Sequence, residues 1–236
     1  DALNRPYVTI RNLTVDINTP LAQVPGYSSL YPDENIGSQT FYDDSGRAYR
    51  QLDLTTGLSN WTCYGTAGRV SHTIVNAVGS NPCAAGYMPS GQPDEDLITQ
   101  YIYDDFGRQI ATIAPDGTVS RTYYDEIGRR SATVNNLVLR DANGNRQSNT
   151  QAIALTQPPA FSTQHPDENL TTRFAYDVLG RVAKTITAAS SPQERADWMC
   201  YDALGRTVKT VANASWIQST PTPCDAGYTL SGQPDE

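Results

Sequence analysis

Polar and apolar residues alternate along much of the chain with the two-residue period of a half-buried β-strand, as in "YVTIRNLTVDI" over residues 7–17. No apolar run approaches the ~18–20 residues of a membrane-spanning helix. No segment carries the 3.6-residue stripe of an amphipathic helix. The strands fall at fixed places. An aliphatic residue (Leu52, Ile74, Ile113, Val134, Ile186 or Val211) stands five residues after each of six Gly-Arg pairs, and Thr precedes it in five cases, Gln51 being the exception. Alternation is imperfect in these return strands. That predicts either partial cover on both faces or strong curvature of the sheet.

Each Gly-Arg pair ends a longer phrase, Tyr-Asp-x-x-Gly-Arg. The copies begin at Tyr42, Tyr64, Tyr103, Tyr124, Tyr176 and Tyr201. Five keep the aspartate (Asp43, Asp104, Asp125, Asp177, Asp202), and the copy at Tyr64 has Gly65 instead. All six keep the glycine (Gly46, Gly68, Gly107, Gly128, Gly180, Gly205) and the arginine. Asp at the first and Gly at the fourth place of a type I turn is a preferred pattern. The Asp carboxylate accepts from turn amides, and Gly supplies the positive φ that closes a bulged hairpin. Each phrase is therefore a predicted hairpin corner. Tyr would end the incoming strand and Arg begin the outgoing one. The two are expected to face each other across their own turn, ring against cation, for ~0.5–1 kcal/mol.

The corners come in pairs, and a second marker sets the larger period. "PDEN" (32–35), "PDED" (93–96) and "PDEN" (166–169) each precede the first tyrosine of a pair by ten residues, and "PDE" returns at 234–236. The predicted organisation is an N-terminal strand segment, 1–31, and three modules, 32–92, 93–165 and 166–236, in one repeat domain. Each module reads as a four-strand antiparallel meander and a long loop. Its middle turn is "TTG" (55–57), "APDG" (114–117) or "SSPQER" (190–195). A degenerate corner, Asp141 to Gly144, adds a hairpin in the second long loop.

Composition narrows the function. The 236 residues carry a net charge of −8, with 14 tyrosines and only two lysines, Lys184 and Lys209. The pI near 4.7 argues against nucleic acid as a partner. Cys63 and Cys83 occupy the same places in the first module as Cys200 and Cys224 in the third, and the second module lacks both. Joint presence and joint absence point to the pairs Cys63–Cys83 and Cys200–Cys224. Each would close a loop worth on the order of 3 kcal/mol, in an oxidising compartment. Four free buried thiols are the competing reading. Metal binding is the weaker one, because there is no C-x-x-C and the only histidines are His72 and His165.

No catalytic constellation emerges. His72 stands three residues after a corner arginine, where the other copies have Arg50, Ala111, Ala132, Lys184 and Lys209. A slot so tolerant reads as a solvated strand position. His165 lies in a loop beside a module start. Neighbouring carboxylates such as Asp43-Asp44 and Asp104-Asp105 diverge in a strand or turn. No nucleophile elbow, phosphate-binding loop or EF-hand spacing occurs. No cofactor is expected. Asn12, Asn60, Asn169 and Asn213 lie in N-x-S/T sequons.

The sixfold phrase over residues 32–211 resembles the YD repeats of the Rhs family, which includes bacterial Rhs proteins, toxin-complex shells and teneurins. The resemblance implies an all-β fold, a long sheet strip of antiparallel hairpins that curves and spirals into a shell, often around a toxin. The chain begins at Asp1 and its last residues repeat a module start, and the expectation is an excerpt or a processed product. Three functions are open. The first is a non-enzymatic extracellular structural protein assembled head-to-tail into a fibre or wall, its partners being copies of itself or flanking repeats. The second is a fragment of a toxin-encapsulating shell. The third is a surface adhesion module holding glycans on exposed Tyr and Arg rows.

Overall fold

The computed structural model describes residues 1–214 and 222–228. The "PDE" at 234–236 and most of the third module's tail lie outside the described residues. The chain forms two compact units, Asp1–Tyr101 and Ile102–Glu236. Both are all-β, as expected, and within each unit strands follow one another in chain order, each antiparallel to its neighbour.

The first unit holds β1 (Val8–Arg11), β2 (Ile36–Tyr42), β3 (Ala48–Asp53), β4 (Ser59–Tyr64) and β5 (Val70–Ala77), followed by β6 (Leu97–Tyr103), in which the boundary falls. The second holds β7 (Gln109–Ile113), β8 (Val119–Tyr124), β9 (Arg130–Asn135), β10 (Leu170–Tyr176), β11 (Val182–Thr187), β12 (Arg195–Tyr201) and β13 (Thr207–Val211). Between β9 and β10 the long loop contains one helical turn, α1 (Asn149–Ile153), which the residue pattern did not announce. It starts on a reciprocal cap between Ser148 and Gln151. Its last carbonyl, Ile153 O, accepts from Arg121 Nε at 3.1 Å, so a cation closes the helix end.

Each unit buries one sheet face under the loop that follows its hairpins. In the first, Trp61, Cys63, Ile74 and Ala77 form the core, with Tyr49, Cys83 and Ile98 against it. In the second, Ala111, Val119, Tyr123, Ala132, Val134 and Leu137 are closed over by Ala152 and Ile153 of α1. Ile74 and Val134, two of the aliphatics that recur after the corner arginines, are wholly buried. Each such side chain contributes ~1.5–3 kcal/mol.

Candidate functional site: the interlocked corners

The corner begins as a backbone device. In the copy at 43–47, Gly46 N donates to Asp43 O and Asp43 N to Arg47 O, both at 2.9 Å. Gly46 sits at φ 78°. The outgoing strand then bulges: Tyr42 opposes Ala48 and Phe41 opposes Arg50, so Tyr49 is the extra residue. The same register shift follows the corners at Tyr64, Tyr124, Tyr176 and Tyr201. Asp141 to Gly144 repeats the turn, with Asn145 in the arginine's place and Gly144 at φ 83°.

The aspartate then grips the arginine of its own corner with both oxygens. In the copy at 125–129, Oδ1 accepts from the Arg129 backbone N–H and Oδ2 from Nε, both at 2.7 Å. The equivalent Nε–Oδ2 distances are 2.8 Å for Arg47, 2.7 Å for Arg108, 2.6 Å for Arg181 and 2.7 Å for Arg206. These bonds favour the carboxylate. Asp43, Asp177 and Asp202 titrate below the ordinary range, first because of the backbone N–H of Arg47, Arg181 and Arg206. At Asp104 and Asp125 desolvation pushes upward and is outweighed by the arginine's N–H and guanidinium.

The arginine does not face the tyrosine of its own turn, as the sequence led us to expect. Its guanidinium lies on the ring of the next corner. Arg47 covers Tyr64 at 4.1 Å, Arg108 covers Tyr124 at 4.2 Å, Arg129 covers Tyr176 at 4.4 Å and Arg181 covers Tyr201 at 4.2 Å. The covered tyrosine answers by donating its hydroxyl to the carbonyl just past that arginine. Tyr64 Oη reaches Ala48 O at 2.9 Å, Tyr124 Oη reaches Gln109 O at 3.0 Å and Tyr176 Oη reaches Arg130 O at 2.8 Å. The reason is strand order. The strand leaving one corner pairs with the strand entering the next, so the next ring is the nearer neighbour along the sheet edge. The link forms equally across a short turn and across the long loop between β9 and β10.

A seventh corner stands at Asp1-Ala-Leu-Asn4-Arg5. Asn4 takes the glycine's place at φ 58°. Arg5 Nε donates to Asp1 Oδ2 at 2.7 Å, and Arg5 covers Tyr42 at 4.2 Å. Motif reading passed over it because Asn replaces Gly, although Asn is the other residue that reaches the left-handed region at low cost. The likeness of "DALNR" (1–5) to "DALGR" (202–206) was the available signal.

The module marker is a second clasp. Asn12, Asn76 and Asn136, all at positive φ, accept on their backbone carbonyls from Asn35, Asp96 and Asn169 at 3.0, 3.1 and 2.9 Å. Their side-chain amides donate to the carbonyls of Asp33, Asp94 and Asp167 at 2.6, 3.1 and 2.9 Å. The buried side chains of Asn35, Asp96 and Asn169 in turn accept from the N–H of Thr14, Val78 and Val138. Asn169 is 7% exposed with both ends of its amide bonded, so its sequon is closed to modification in the folded chain.

Cys63 is bonded to Cys83 and Cys200 to Cys224. The slot three residues after each arginine is solvated in only some copies, being exposed at Lys209. Ala111 and Ala132 are buried there, and Arg50 is half-buried between Phe41 and Trp61. Lys184 lies over Trp198 at 5.0 Å. His72 pairs across the sheet with Cys63. His165 lines a concavity of about 510 Å³ in the second module's loop, beside Arg140 and Glu168. Those two charges consume each other in a bidentate pair at 2.6 and 3.0 Å. Among the described residues no helix is long and apolar enough to cross a membrane.

No family model matches the chain, and no curated protein does. Among solved structures it is similar to a crystal structure of TcdB2-TccC3, at 15% identity and a TM-score of 0.49 over 82% of this chain. It is similar to TcdB2-TccC3-Cdc42 at the same identity and TM-score over 75%. A third is the Photorhabdus luminescens Tc holotoxin pore with the TccC3-D651A mutation, at 13% identity and a TM-score of 0.39 over 75%. The chain spans 8%, 7% and 9% of these chains' lengths. All three TM-scores lie below 0.5, so function is read from this chain's own residues.

Proposed function

We propose that this chain is a non-enzymatic structural element, one stretch of a longer fibre or wall built from the same repeats outside the reducing cytosol. The observation that carries the reading is the employment of the corner groups. The clamped arginines Arg5, Arg47, Arg108, Arg129 and Arg181 are occupied in holding one hairpin to the next, and the covered tyrosines give both a ring face and their hydroxyl to that link. This leaves the corner rows little to offer a glycan.

The same geometry favours growth by addition. Arg206 keeps its clamp to Asp202, yet its side chain is 74% exposed, against 27–35% for Arg5, Arg47, Arg108, Arg129 and Arg181. Its outer face is the place where Arg5, Arg47, Arg108, Arg129 and Arg181 each meet a tyrosine-ended strand. A further repeat or a second chain would supply that strand. Analytical ultracentrifugation with negative-stain imaging tests the reading. Polymers or strips of uniform width, lost on Arg206→Glu, are expected. Closed hollow particles would favour the shell of a toxin-encapsulating protein instead. A compact monomer at every concentration, in a chain extended by one further module, would contradict both.

A further inference from the structure

Beside the disulfide of the first module stands a third soft ligand that the third module lacks. The sulfurs of Cys63 and Cys83 and a ring nitrogen of His72 all lie within 4.8 Å of one another. Cys63 and His72 are fixed as a directly opposed pair on β4 and β5. Cys83 reaches them from the turn after β5. The imidazole is steered by Ser71, whose Oγ donates to Cys63 O and lies 3.0 Å from Nδ1. An imidazole nitrogen is a common ligand to metal ions. In the third module the residue opposed to Cys200 is Lys209, whose ammonium donates to Pro223 O at 2.8 Å and has no lone pair.

We infer that Cys63, His72 and Cys83 form a redox-gated site for a thiophilic divalent cation such as zinc. The site is closed while the disulfide stands and opens when a dithiol reduces it. The reaction balances. A dithiol passes two electrons to the S–S bond and leaves as its own cyclic disulfide, giving two thiols. The cation then takes both sulfurs as thiolates and one imidazole nitrogen, and two protons leave to solvent. Two thiolates on tetrahedral zinc lie about 3.8 Å apart at Zn–S distances of about 2.3 Å. The sulfurs must therefore separate by about 2 Å from bonded contact. Cys83 lies in a turn rather than a strand, so its side of the site yields without breaking the ladder. Water would take the fourth position. The ion would replace a covalent tie by a coordinate one in the same place, holding the loop on its sheet face.

The third module is the built-in control. The intact chain is reduced with a dithiol, freed of it under argon and titrated with cobalt(II), whose thiolate charge-transfer band reports sulfur ligation. The expected result is one tightly held cobalt per chain, displaced by zinc. His72→Lys, which copies the third module, should weaken binding by more than the roughly 10–100-fold that losing a mere outer-shell partner costs. Lys209→His should raise the stoichiometry towards two. Circular dichroism follows folding throughout. Cys200→Ser with Cys224→Ser should leave the first site's binding unchanged. No charge-transfer band in the reduced wild type, equal affinity in His72→Lys, or a reduced chain whose sheet signal is lost and not restored by cobalt would each overturn the site.

Discussion

The corners at 125–129 and 65–69 build the same hairpin from different means. Both close with the glycine N–H on the first residue's carbonyl, at 2.9 Å in each. Both carry the glycine at positive φ, 84° at Gly128 and 73° at Gly68. Both are followed by the same bulge. Yet the first has Asp125 gripping Arg129, and the second has Gly65, with no carboxylate. The difference separates two jobs that the motif fuses. Glycine and the bulge bend the chain. Aspartate orients the arginine that ties one bend to the next.

If that division holds, the largest effect belongs to the shared part. Gly128→Val forces a β-branched residue into the left-handed region and brings its Cβ within 3.2 Å of Arg108 Nη1. A loss of about 2 kcal/mol is expected in urea unfolding. Gly68→Val should cost a comparable amount, with or without an aspartate at the corner. Asp125→Ala should cost less than either glycine change, because the turn survives without it at Gly65. Its signature would be loosened exchange of the Arg129 amide rather than loss of the hairpin.

The reverse substitution sharpens the contrast. Gly65 is not at positive φ, and a Cβ there meets nothing closer than 3.8 Å. Gly65→Asp should install the missing clamp on Arg69 and raise the midpoint of thermal unfolding by about 1–3 °C. Acid should have the opposite effect at the corners that already own the clamp. The folded pKa of Asp43, Asp104, Asp125, Asp177 and Asp202 is depressed, so their contribution is complete above the ordinary carboxylate value. It is lost as pH falls through the lowered folded values. Amide protection factors at 125–129, with the intrinsic pH dependence of exchange divided out, should therefore fall more between pH 6 and strong acid than those at 65–69. The smallest effect is expected at the tips. Phe106 and Ile127 are 86% and 74% exposed, and Phe106→Ala or Ile127→Ser should change stability within about 0.5 kcal/mol.

How much of this was legible follows from what a motif encodes. Turn chemistry is local, so Asp43 to Gly46 and its copies could be read directly as corners, and the strands between them followed. The cysteine pairing was legible because module two lacks both partners at once. The partner of each arginine was not, because Tyr-Asp-x-x-Gly-Arg places its own tyrosine nearest in sequence while sheet order places the next one nearest in space. The clasp between Asn76 and Asp94 was hidden for a related reason. Its lone asparagine carries no motif, and its meaning is a positive φ and a bond to a residue 18 positions away. His72 looked solvated because lysine and arginine share its slot. In the fold that slot faces aromatic rings, carbonyls or a disulfide, which long cations and an imidazole can each satisfy.

The central claim is that the corner arginine joins successive hairpins. A pair of double-mutant cycles in the second unit tests it directly, using Arg129→Ala with Tyr176→Leu and Arg129→Ala with Tyr124→Leu. The fold described here predicts a coupling of at least about 0.5 kcal/mol between Arg129 and Tyr176, and close to zero between Arg129 and Tyr124. Coupling confined to Arg129 and Tyr124, its own corner's ring, would contradict it.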